Sequence, residues 1–234
     1  MLRLGDLLKL DESTPGDGTP AFLRIPVLTI AVVLGACILT LGALGALHGY
    51  LWPANGTLRS FDLNRELVIP AFFSGALLLA AAGLCLAAFR HRLAIGPHRF
   101  AFALLGAFLA FMALDEILSL HESIEASTGV DWQTLYAPIV LVGGIGWLWS
   151  LRSLRQFRRA YTCLLSGAFA WLAAQVLEQL QYEGDVLVHP ALVIFEEVLE
   201  MTGTTLFILA ILIALRCHLQ LRGSRTTSTD SVAG

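Results

Sequence analysis

The 234 residues are 56% hydrophobic and 14% charged, with a mean hydropathy of +0.73. Soluble domains carry about 25% charged residues, so this balance excludes an ordinary water-soluble domain and points to lipid as the solvent. A formal charge of −3 excludes nucleic acid as a partner, because no basic face is available to meet phosphates.

The chain opens on Met1–Arg24, whose leucines are interrupted by Arg3, Asp6 and Lys9. That pattern does not read as a signal peptide and fits a short amphipathic cytoplasmic segment at the membrane surface. A bilayer core calls for about 20 mostly apolar residues per helix. Six such runs follow, at 25–47, 67–89, 100–121, 135–151, 160–180 and 191–215. The expected fold is therefore all-α, a six-helix transmembrane domain over 25–216 followed by a cytoplasmic disordered tail over 217–234.

Between the first two spans lie Arg59 and Arg65, and Asn55-Gly56-Thr57, a glycosylation-like triplet too short to carry weight. The other thirteen basic residues fall on the opposite side of a six-span chain, among them Arg90, Arg92 and Arg99, Arg152 to Arg159, and Arg216. The positive-inside rule then puts both termini in the cytoplasm. Tyr50, Trp52, Trp132 and Tyr136 read as an outer aromatic belt, and Trp147, Trp149 and Tyr161 as an inner one. Lys9 is the only lysine among fifteen basic residues, a bias that points to a GC-rich bacterial source and to the bacterial inner membrane. Cys37, Cys85, Cys163 and Cys217 sit in or beside apolar runs without CxxC spacing and read as packing residues.

The third span ends in Asp115-Glu116-Ile117-Leu118-Ser119-Leu120-His121-Glu122. On one continuous helix Asp115, Ser119 and Glu122 lie within about 60° of each other, with His121 and Glu116 on the flanks. Gly143, Gly144 and Gly146 in the fourth span predict close helix packing. The fifth span ends with Gln175, Glu178, Gln179 and Tyr182 on one face. His189-Pro190 then leads into the sixth, where Glu196 and Glu200 share a face and Glu197 sits at its edge.

A carboxylate near the middle of a spanning helix costs roughly 2.5–3.5 kcal/mol. Three helices carrying that cost on one face predict a shared polar interior towards the non-cytoplasmic side. Carboxylates and histidines on facing helices suit a divalent metal such as zinc, iron or manganese. The expected ligands are Asp115, His121, Glu122, Glu178, His189, Glu196 and Glu200, with Glu116 and Glu197 as candidate general bases. The corresponding function is a metal-dependent hydrolase or oxidase acting on a lipid-soluble substrate. Neither HExxH, Glu-x-x-His nor paired HxxxH occurs, which counts against the familiar zinc-peptidase, di-iron and desaturase patterns. Two alternatives stay open. One is a proton or cation transporter; the other is an accessory subunit in which Arg59 and Arg65 neutralise the acids.

Overall fold

The computed structural model describes residues 25–51, 56, 58–65, 67–94, 98–130, 132–183, 186–187 and 189–230; side chains are not described at 51, Glu122, 182–183, 186–187, 190 and 222–230. Among the described residues the helices are α1 (Val27–Ala46), α2 (Ile69–Arg90), α3 (Arg99–Leu118), α4 (Leu120–Thr128), α5 (Trp132–Ser153), α6 (Arg158–Gln181) and α7 (Pro190–Asp230). A π turn, Leu47–Leu51, extends α1, and a 3-10 turn, Leu58–Phe61, follows. Two-residue strands, β1 (Tyr182–Glu183) and β2 (Val186–Leu187), form an antiparallel hairpin between α6 and α7.

Six helices among the described residues are long and apolar enough to cross a membrane: Val27–Tyr50, Ile69–Arg90, Arg99–Leu118, Trp132–Ser153, Arg158–Gln181 and Ala191–Leu221. The chain is thus a polytopic bundle, with one end rich in arginine and the other rich in acids. Lipid-facing leucines and valines such as Leu39, Leu141 and Leu172 stay exposed because the bilayer, not the bundle, is their solvent.

The centre of the bundle is α7. Its run Phe207–Leu215 is buried throughout, with α1, α2 and α6 packed around it. At 1.5 Å per residue, its 41 residues extend about 60 Å, roughly twice the thickness of a hydrocarbon core. The last helix therefore continues to Asp230, into the segment expected to be a disordered tail. Arg216 ties it to the start of α1 by donating to the Ile25 carbonyl.

Small residues set the closest approaches, as packing within lipid requires. A Cβ on Gly203 would stand 2.8 Å from the Gly167 carbonyl oxygen, so α6 and α7 meet backbone to backbone. Gly143 and Gly146 seat α5 on α3, against Phe108 and Leu105, whereas Gly144 faces open space. On its other side α5 barely touches α6.

The third span departs from expectation at one residue. Helix α3 stops at Leu118, and Ser119 takes a left-handed backbone, φ 50 and ψ 47. For a residue other than glycine this conformation costs of order 1–3 kcal/mol and persists only where its surroundings enforce it. The single continuous face expected for Asp115, Ser119 and Glu122 is consequently broken, and α4 sets off in a new direction.

Candidate functional site: an acidic chamber

The break at Ser119 explains how Asp115 and His121 meet. On an unbroken helix they would stand about 120° apart around the axis and about 9 Å apart along it. With the left-handed turn, His121 folds back over Asp115. Its backbone N–H donates to Asp115 Oδ1 at 2.9 Å, and its ring Nδ1 lies 2.9 Å from Oδ2. From α5, the Tyr136 hydroxyl donates to Oδ1 at 2.7 Å. Asp115 is 4% exposed and Tyr136 3%, so this carboxylate is buried and satisfied by three donors. With Asp115 accepting there, Nδ1 is the ring nitrogen that donates.

An aromatic wall backs this unit. The His121 ring lies 5.5 Å from Trp132, which packs edge-on to Tyr136 at 5.6 Å. Tyr136 in turn packs edge-on to Phe111 at 5.1 Å.

The remaining acids converge from α6 and α7. Gln175 Nε2 reaches Glu200 Oε1 at 3.4 Å, and Gln133 Nε2 reaches Glu178 Oε2 at 3.4 Å. Gln181, itself 2% exposed, donates to Glu196. Each of these three glutamates is therefore met by a neutral amide, which orients a carboxylate oxygen without cancelling its charge. Glu200 also lies within electrostatic reach of Glu116, Glu196 and Glu178. The Trp171 indole N–H donates to the Glu200 backbone carbonyl at 3.1 Å and to Thr204 Oγ1 at 3.2 Å, fixing the floor of the site.

Together these residues line a chamber of about 310 Å³ at the acidic end of the bundle, with Asp115, Glu116, His121, Glu178, Glu196, Glu197, Glu200 and Arg65 on its wall. Below it lies an apolar pouch of about 530 Å³, and the two share Met112, Glu116, Trp132, Gln175 and Glu200.

Seven of the nine residues singled out from the sequence thus line one chamber. His189 does not: it is exposed and absent from the lining, its backbone N–H donating to the Gln181 carbonyl at 3.2 Å. The Glu122 side chain lies outside the described residues. Among the described residues, no three His, Cys, Asp or Glu side chains form a group able to hold a metal ion. Neither Arg59 nor Arg65 pairs with an acid among them, and both are exposed.

Sequence reasoning missed the contribution of α5. Trp132 and Tyr136 read as membrane-belt aromatics, and a span without charge offered no sign that Gln133 and Tyr136 complete the site. The available signal was periodic: Trp132, Gln133 and Tyr136 fall at i, i+1 and i+4, on one side of the helix.

Residues 27–215 match the model of a family described as a domain of unknown function, DUF8692. No curated protein and no solved structure matches the chain.

Proposed function

This chain belongs to the DUF8692 family, and we propose that it is an integral membrane protein whose acidic chamber captures a cationic group. One observation carries the reading. Among the described residues, six carboxylates (Asp115, Glu116, Glu178, Glu196, Glu197 and Glu200) line the chamber against one guanidinium, Arg65, and one imidazole, His121. The acidic groups of this lining thus outnumber the basic ones threefold. Like charges crowded at membrane depth repel, and a bound cation relieves that repulsion directly.

An organic ammonium suits this lining better than a resident zinc, iron or manganese ion. A metal requires several donors converging on one point. Here the acids are spread around a chamber and three are met by glutamine amides. His121, oriented by Asp115 and backed by Trp132, is the group that exchanges a proton with the captured ligand, so chemistry performed there is acid–base in kind. It takes the general-base part that the sequence alone assigns to Glu116 and Glu197, which bind instead. Ion transport fits less well, because among the described residues the chamber gives on to an apolar pouch.

The arginine bias of the opposite end supports a cytoplasmic location for that end, with the chamber reached from outside across a bacterial inner membrane.

The test is calorimetric titration of the purified protein with butylamine, neutral butanol, and zinc, manganese or ferrous ions. Butylamine should bind and butanol should not, and Glu196→Gln with Glu200→Gln should weaken the amine at least about tenfold, a loss of about 1.4 kcal/mol. Stoichiometric metal binding without amine binding, or amine binding indifferent to both variants, would refute the proposal.

A further inference from the structure

The apolar pouch has no part in holding a small cation, yet it opens directly beneath the carboxylates. Its depth is legible on α5, where its lining runs from Trp132 and Gln133 down to Val140 and Leu141. Nine residues of helix cover about 14 Å, close to half of a hydrocarbon core of about 30 Å, the depth of one leaflet. On α3 the lining descends in step, from Glu116 through Met112 to Phe108. Its volume of about 530 Å³ falls within the range of ligand pockets, about 300–1,000 Å³.

The pouch also has a side opening. Leu141 of α5 and Leu172 of α6 line it while remaining 66% and 62% exposed, so they stand at its edge and face lipid. The seam between α5 and α6 is thinly packed, bridged at its outer end by Gln133 with Glu178 and Gln179 and deeper by Trp147 donating to the Leu164 carbonyl. Whatever enters there comes from the bilayer. Because Glu116 and Glu200 belong to both cavities, a molecule with its chain in the pouch carries its head into the acids.

We propose that this pouch holds the hydrocarbon chain of an amine-headed membrane amphiphile, admitted sideways between α5 and α6, with its ammonium group in the acidic chamber. The inference rests on the cation reading of the chamber and adds the ligand's class and its route.

The probes are dodecylamine and dodecanol, each carrying a diazirine near the chain end, with butylamine as the short cation; all are applied to the full-length protein in detergent. Dodecylamine should bind at least about tenfold more tightly than butylamine, since burying methylene groups is favourable. Its photolabel should map to Leu78, Phe108 or Val140. Leu141→Trp combined with Leu172→Trp should remove the chain-length advantage and leave butylamine binding unchanged, which also reports that the variant is folded. The wild-type label map stands independently of any variant. Butylamine binding without a chain-length advantage, or a label confined to outward residues such as Val142 and Phe169, overturns this inference alone. Dodecanol labelling in the pouch with no binding of either amine overturns the cation reading and, with it, the amine head. A cross-link from Leu141 to Leu172 of a second copy would make the seam a helix–helix interface and overturn the proposal.

Discussion

Removing the Tyr136 hydroxyl is the sharpest probe of how the site is held together. Tyr136→Phe keeps the ring, and with it the edge-on contacts to Phe111 at 5.1 Å and Trp132 at 5.6 Å. Only the 2.7 Å donation to Asp115 Oδ1 is lost. A hydrogen bond to a charged acceptor contributes about 1.5–3 kcal/mol, whereas polar bonds between membrane helices average about 0.6 kcal/mol. Asp115 retains both His121 donors, so the lower end of the charged range applies, about 1.5 kcal/mol, or roughly a tenfold change in the unfolding constant. The value is best taken as the coupling in a double-mutant cycle with Asp115→Asn, because unrelated effects of each change then cancel. Reversible unfolding by SDS in mixed micelles supplies the four stabilities. A coupling below about 0.3 kcal/mol would show that the bond does not join α3 to α5 as described.

Three other outcomes are expected. Ser119→Val should destabilise by about 1–3 kcal/mol, because a β-branched residue resists a left-handed backbone, while Ser119→Gly should stay within about 1 kcal/mol of wild type; equal losses would locate the effect in the hydroxyl. In the same unfolding assay, Gly203→Ala should cost about 1–3 kcal/mol by forcing α6 from α7, and Gly144→Ala, with nothing within 4 Å, should cost nothing or stabilise; the reverse order would contradict the packing. For orientation, an impermeant thiol reagent applied to intact cells should reach Gly56→Cys directly and Arg155→Cys only after permeabilisation, and the opposite pattern would invert the topology.

The six spans were legible because charge and length constrain a membrane chain so tightly. The runs read at 25–47 and 191–215 differ from the observed Val27–Tyr50 and Ala191–Leu221 only at their ends. The chamber was legible for a related reason: a carboxylate such as Glu200, ten residues into its helix, has to face a polar interior, and helical spacing indicates which side. What spacing could not supply was the turn at Ser119. No glycine marks it, and an unbroken helix sends Asp115 and His121 to different sides. Tyr136 and Gln133 were hidden for a different reason: neither carries a charge, and Gln133 lies just outside the apolar run read at 135–151. Their partners, Asp115 on α3 and Glu178 on α6, lie 21 and 45 residues away and become neighbours only when α5 packs beside both helices.

Whether the acidic chamber holds a cation is tested most directly by a structure determined with 4-bromobutylamine, since bromine marks its own position by anomalous scattering. The predicted result is an ammonium group within hydrogen-bonding distance of the Glu196 and Glu200 carboxylates, with the bromine below it towards Trp171. A chamber without the amine, its glutamates paired with Arg65 or with one another, would contradict the account.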